Sequence, residues 1–278
     1  MKKNGQNGRS RVRGNSDKSN GETREIFGLT FFGNNLNELL IELTRRLRKK
    51  ERNIWVTTVN PEFIMAMEKN EKFADIINES DIKVVDGIGL IWAYNVLKYH
   101  KGPERWWQAL KVGGEILRGN RRQEIISGSD LMAEMCKKNI KRKVYFLGGW
   151  GDRAERTADY FKLKNEKLET RYSSGEPQVN NEKVINEINI FEPDYLFVAY
   201  GMKRQEEWIS ANLKRLGVGV VMGVGRSFDY YSGDLKRAPG FARKMGLEWL
   251  YSLFKEPKRW KRQLVLPKFI WMVLTKNT

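Results

Sequence analysis

The sequence predicts an α/β fold: a mostly parallel sheet flanked by helices, with a helical C-terminal appendage. Three observations carry this. Short β-rich runs alternate with longer stretches whose apolar residues recur at helical spacing. The later β-rich runs are nearly continuous in apolar residues, as strands covered on both faces are. Glycines and turn residues cluster after the β-rich runs, at the sheet edge where such folds bind ligands.

In chain order, 26–32 reads as a strand. Residues 35–50 read as a helix, with Leu36, Leu39, Leu40, Leu43 and Leu47 on one face. A strand at 53–59, a helix at 61–78 and a strand at 82–85 follow, then a helical run at 89–97. Further on, 130–138 is helical, 143–147 a strand and 152–163 helical. Residues 181–191 are helical before a strand at 195–200, and 204–213 are helical before a strand at 217–224. Beyond residue 235, Phe241, Met245, Trp249, Leu250, Leu253 and Phe254 recur at helical spacing.

The chain is long enough, at 278 residues and 40% apolar, for one large domain with a small appendage. A lone cysteine, Cys136, excludes an intramolecular disulfide and points to a reducing compartment. With one histidine, His100, a zinc site has too few ligands. No apolar run approaches the roughly 18 residues of a membrane-spanning helix, and no secretory signal is visible.

The net charge is +17, and it is concentrated. Residues 1–24 carry +5, residues 98–124 carry +4, and residues 235–278 carry +9, which leaves a near-neutral body. The first of these basic segments is so poor in apolar residues that a disordered tail is expected. The other two hold five of the nine tryptophans, a composition suited to an anionic membrane interface. A helix packed on the core is the competing reading of 98–124. Basic charge alone also fits a nucleic-acid-binding protein, but no zinc-finger, KH or RNP pattern is present. A nicotinamide-dependent dehydrogenase is the other alternative on such a sheet, and the chain lacks its G-x-G-x-x-G fingerprint.

The loops after the strands contain the candidate site residues. They read Thr58-Val59-Asn60-Pro61, Asp86-Gly87-Ile88-Gly89, Gly148-Gly149-Trp150-Gly151, Gly201-Met202-Lys203-Arg204-Gln205 and Gly223-Val224-Gly225-Arg226-Ser227. Glycines there let backbone N–H groups and helix N-termini face a phosphate. Asp86 reads either as a helix N-cap or as a catalytic carboxylate. Asn60 reads as a turn residue before Pro61, Gln205 as a first-turn polar residue, and Asp229 as a capping or turn residue.

Thr58-Val59-Asn60-Pro61-Glu62, Val85-Asp86-Gly87-Ile88-Gly89 and Ser127-Gly128-Ser129-Asp130-Leu131 resemble three signatures of the WecG/TagA/CpsF glycosyltransferases (glycosyltransferase family 26). Gly201-Met202-Lys203-Arg204-Gln205-Glu206 is similar to the family's G-x-P-K-Q-E, and Gly223-Val224-Gly225-Arg226-Ser227-Phe228-Asp229 to its G-V-G-G-S-F-D. Lys236-Arg237-Ala238-Pro239, Gly246-Leu247-Glu248-Trp249-Leu250 and Lys255-Glu256-Pro257 resemble its C-terminal signature. The similarity runs from about residue 26 to about residue 268, with the motifs in the family's order.

The resemblance implies a Rossmann-like core over 25–234 and a membrane-associating appendage over 235–278. It implies an inverting, metal-independent transfer from a UDP-sugar of the N-acetylmannosamine type to a polyprenyl-diphosphate-linked sugar, on the cytoplasmic face of the membrane. No cofactor or metal is called for, in keeping with the lack of a D-x-D triplet. A homo-oligomer is left open. By resemblance Asp86 is the general base, and Thr58 and Asn60 line the sugar pocket. Gly87, Gly148, Gly149, Gly201, Gln205, Gly225, Ser227 and Asp229 surround the nucleotide. Arg237, Arg259 and Arg262 serve the diphosphate and the membrane.

There are three departures. Where many relatives carry Glu-Arg ahead of the G-x-D-L segment, this chain has Glu124 and Ile125, so Arg121, Arg122 or Arg105 must substitute or the role lies elsewhere. The chain is also longer than the family's short form over most of 98–123. A third family arginine falls at Ser252.

Overall fold

The protein is described by a computed structural model covering residues 23–33, 35–119, 125–137, 141–174, 181–244, 248–255 and 264–276. The tail at 1–22, Arg121, Arg122, Glu124, Arg259 and Arg262 lie outside the described residues.

The chain opens with a hairpin, β1 (Thr23–Ile26) and β2 (Leu29–Phe32), rather than the single strand expected at 26–32. Phe27 and Gly28 have φ of 55° and 73°. Two successive positive φ values make a tight turn whose twist matches the paired strands.

Helix α1 (Leu36–Arg48) begins at Asn35, whose side chain accepts from the backbone N–H groups of Asn37 and Glu38. It leads to β3 (Ile54–Val59), where all six residues are buried. The expected helix at 61–78 is two helices, α2 (Pro61–Met67) and α3 (Glu71–Asn78). The break falls at Asn70, which leaves helical geometry and caps α3 by accepting from the Phe73 N–H at 3.1 Å. β4 (Ile82–Val85) is followed by α4 (Ile88–Val96), then α5 (Pro103–Leu117) in the basic insertion and α6 (Gly128–Met135).

β5 (Arg142–Gly148), α7 (Arg153–Lys164), β6 (Leu168–Ser173), α8 (Glu182–Phe191), β7 (Tyr195–Ala199), α9 (Arg204–Asn212) and β8 (Val220–Gly223) complete the alternation. Strands β3 to β8 form one six-stranded sheet in the order β4-β3-β8-β7-β5-β6, with every pairing parallel. β6 was not anticipated. It is an edge strand in which only Leu168 is buried.

The sheet has helices on both faces. Leu39, Leu43, Leu131, Met132, Ala158 and Phe161 cover one face, against Val56, Phe146 and Met222. Ile185, Ile188, Trp208 and Ile209 cover the other, against Trp55, Leu196 and Val221. A third cluster joins the hairpin to α2, α3, α4 and α5. The C-terminal helix α13 (Val265–Thr275) is built into this third cluster through Phe269, Val273 and Leu274. Before it come α10 (Ser227–Tyr231), α11 (Gly240–Lys244) and α12 (Glu248–Lys255). Among the described residues no helix is long and apolar enough to cross a membrane.

The candidate active site at the strand ends

β3 and β8 are neighbours in mid-sheet, so Thr58, Asn60 and the 223–227 loop come together at one edge. β4 pairs with β3 through Val59 and Val85, which carries Asp86 to the same edge. Backbone bonds extend this register past the strands: Asp86 N donates to Val59 O at 2.8 Å, and Ile126 N donates to Val85 O at 2.9 Å.

Asp86 does not cap α4. The N-cap is Gly87, at φ 92°, with no side-chain cap bond. The carboxyl group is pushed up to about 7. Burial is the main cause, although part of the residue reaches solvent. Glu248 and Asp130 push in the same direction, and Arg237 opposes them. A carboxylate that takes up and releases its proton near neutral pH suits general base catalysis.

Thr58 is buried beside the first turn of α6. A Cβ added at Gly128 would lie 3.3 Å from Thr58 Oγ1, so glycine lets that helix approach the strand end closely. Asn60 caps α2 through Oδ1, which accepts from Glu62 N at 2.9 Å and Phe63 N at 3.2 Å. Its amide NH2 is the half not used in capping.

Gly148 and Gly149 have φ of 93° and 79°. A Cβ on Gly148 would lie 2.7 Å from the Tyr200 ring, so the β5–α7 turn closes against β7 only with glycine. Gly201, at φ 81°, opens the turn into α9. There Lys203 holds φ 77°, and its N–H donates to Glu206 Oε2 at 2.7 Å.

Gln205 is 4% exposed. Its Nε2 donates to Glu206 Oε1 at 2.7 Å, and its Oε1 accepts from Gly225 N at 3.0 Å. The side chain therefore fixes the β8 loop to α9. Burial raises the Glu206 carboxyl to about 7, against the bonds from Gln205 and the Lys203 N–H.

Ser227 is also buried, with Oγ 2.8 Å from Ser129 Oγ and donating to Val224 O at 2.8 Å. Asp229 pairs with Arg153 Nη1 at 2.7 Å and Arg226 Nε at 3.2 Å.

Arg237 is held by Asp130, by Ser127 Oγ at 3.2 Å and by Glu248 Oε1 at 3.2 Å. Burial works against its charge, but the Asp130 bonds outweigh it and raise the guanidinium further.

Of the arginines considered for the position of Ile125, Arg105 is excluded. It is fully buried and donates to the carbonyls of Tyr99, Val273 and Lys276. It thus closes the C-terminal end of α13. Ile125 itself packs on the third apolar cluster.

Sequence reasoning missed Glu206 and Glu248 as groups that shape the site. Both stand in quoted motifs but received no role: Glu206 acts through its neighbours Gln205 and Lys203, and its burial is a tertiary fact, while Glu248 acts on Asp86, far away in the chain.

The model of the glycosyl transferase WecG/TagA/CpsF family matches residues 24–109 and 108–278. The chain belongs to that family. It is an enzyme of the glycosyltransferase class, which decides against the nucleic-acid-binding and dehydrogenase readings. The two matched stretches meet inside α5, the helix of the insertion. The WecG/TagA/CpsF protein is 26% identical over 260 residues to N-acetylglucosaminyldiphosphoundecaprenol N-acetyl-beta-D-mannosaminyltransferase of Staphylococcus aureus strain MW2, covering 92% of this chain and 94% of the relative. The same identity and coverage hold for the proteins of that name in strains NCTC 8325 / PS 47 and COL.

Proposed function

We propose that this family member transfers an N-acetylmannosamine-type sugar from a UDP-sugar to a sugar carried on a polyprenyl diphosphate, with inversion and without a metal ion, at the inner face of the cell membrane. The observation that carries the chemistry is Asp86, a carboxyl at the open end of β4 poised near neutral pH by burial and by Glu248. Asp86 takes the proton of the acceptor hydroxyl as that oxygen bonds to the anomeric carbon. The bond from that carbon to the UDP oxygen breaks, and UDP leaves with the electron pair. An α-linked nucleotide sugar attacked this way gives a β-linked product, the linkage named for the Staphylococcus aureus relatives.

Thr58 and the Asn60 amide NH2 line the sugar side of the site. Gly87, Gly148, Gly149, Gly201 and Gly225 keep the nucleotide side open. Gln205 acts as a positioning residue, by holding the Gly225 N–H. The departing diphosphate is met by exposed Lys203 and Arg204 and by open helix N-termini, which favour anions. Ser227 and Asp229 act through the frame, tying α10 to α6 and α7. The appendage over 235–278 continues the core over 25–234, with α12 contributing Glu248 beside Asp86.

The test is an incubation of the full chain with UDP-N-acetylmannosamine and a short-chain polyprenyl-diphosphate N-acetylglucosamine, in excess EDTA. A β-linked disaccharide lipid and UDP are the expected products. Turnover that requires a divalent ion would remove the metal-independent mechanism, and turnover only with another UDP-sugar would reassign the donor.

A further inference from the structure

Two helices outside the strand-end site meet on the molecular surface. α5 has two faces. Arg105, Ala109, Val112 and Ile116 recur every three or four residues and are buried. The opposite side shows Trp106, Trp107, Leu110 and Leu117 to solvent, with Trp107 67% and Leu110 72% exposed. α13 repeats the division: Phe269, Val273 and Leu274 are inside, while Leu264 at its N-cap, Ile270 and Trp271 are outside, Trp271 being 63% exposed. The Trp106 and Trp271 rings meet edge-on, with centroids 6.3 Å apart, so the two stripes form one patch. At 3.6 residues per turn, exposed Lys111 and Arg118 border the stripe on α5, and exposed Lys268 borders it on α13.

The patch is coupled to the site through α4. Trp92 Nε1 on that helix donates to Ala109 O of α5 at 3.0 Å. Gly89, three residues after Asp86, lies against α13, where an added Cβ would come 3.8 Å from the Phe269 ring.

We propose that the α5–α13 face docks on an anionic lipid bilayer, seating Trp106, Trp107, Leu110 and Trp271 among the headgroups and holding Asp86 near the surface that carries the acceptor. The proposal rests on the lipid-linked acceptor of the reading above and adds which surface meets the lipid. Tryptophan flanked by Lys and Arg is the composition of an interfacial helix, and each basic residue adds attraction to an anionic surface. The same charges disfavour a second copy of the chain as occupant. A two-fold pairing of this face would set Lys111, Arg118 and Lys268 against one another.

The experiment is sedimentation of the full chain with vesicles of phosphatidylcholine and phosphatidylglycerol, or phosphatidylcholine alone, without donor or acceptor. Three variants are compared: Trp107→Ser/Leu110→Ser, Lys111→Glu/Arg118→Glu and, as a control on α1, Ile41→Ser. Circular dichroism confirms that each is folded. The wild type and the control bind the anionic vesicles, and both double variants lose tenfold or more. Undiminished binding by Trp107→Ser/Leu110→Ser overturns the proposal. So does a wild-type dimer that this variant converts to monomer with vesicle binding unchanged. Transfer to a water-soluble short-chain acceptor is measured separately and stays at the wild-type level in the double variants. Its absence from every protein would count against the transferase reading and leave the vesicle result standing.

Discussion

Arg237 clasps Asp130 with both ends of its guanidinium, Nη1 to Oδ1 at 2.5 Å and Nη2 to Oδ2 at 2.9 Å. Its Nε reaches Glu248 at 3.2 Å. The arginine that would otherwise hold Asp86 ionised is thus shared between two carboxylates, and both of these raise the Asp86 carboxyl. Burial raises the proposed base most, and residues from α6, α12 and the loop between α10 and α11 tune it further.

Glu248→Gln removes the strongest charge that raises Asp86. The acid limb of the kcat/KM profile then moves to lower pH by a fraction of a unit. Arg237→Gln moves it to higher pH. A pair of profiles coincident with wild type would show that these groups do not tune the base.

Asp86→Asn has a sign in stability as well. The wild-type carboxyl has a folded value of about 7 against an ordinary value of 3.8, so the folded state holds its proton longer than the unfolded chain. Its contribution is full below about pH 4, falls as pH rises, and is gone above about 7. Asparagine does not titrate, so the variant gains on wild type between these values, by on the order of 1 kcal/mol after solvent screening. Urea unfolding at pH 5 and pH 8 measures it, and an equal difference at both would contradict the assigned shift.

Gln205→Ala frees the Gly225 N–H and takes the side-chain donor from Glu206 Oε1, while the Lys203 N–H still serves Oε2. The expected result is a KM for the UDP-sugar raised severalfold with a smaller change in kcat, and a stability loss of about 1–2 kcal/mol. Donor titration and thermal unfolding check this. An unchanged KM would make the contact purely structural.

Arg105→Ala leaves buried carbonyls at the end of α13 without their donor. It should cost about 2–4 kcal/mol of stability, read by urea unfolding. Donor KM in the folded protein should stay at the wild-type value. Lost donor affinity without lost stability would return Arg105 to the diphosphate.

Most of the sheet is legible in the sequence because β3, β7 and β8 are buried throughout and therefore read as apolar runs. β6 is not, because Leu-Glu-Thr-Arg-Tyr-Ser at an exposed edge has no such run. The hairpin is hidden because its turn uses Phe27-Gly28, which continues a β-rich stretch instead of interrupting it.

In the site, the placement of Asp86 follows from a strand end and a glycine, both local. Its environment depends on Glu248, which lies on α12, far along the chain. The burial of Gln205 and Ser227 is likewise a tertiary fact, since a polar residue after a strand looks the same whether it faces a ligand or the frame. The basic insertion is the clearest mixture. One face of α5 is core, as one reading of it expects, and the other face is exposed tryptophan, on which the membrane proposal rests. Because α13 is also half core, point substitutions on its surface are cleaner tests than removing the appendage.

The most direct test of the account is single-turnover transfer by Asp86→Asn at saturating donor and acceptor, alongside its binding of UDP-sugar. The account predicts a rate about 100- to 10,000-fold below wild type with donor binding retained. Transfer within a few fold of wild type in a folded Asp86→Asn protein would contradict it.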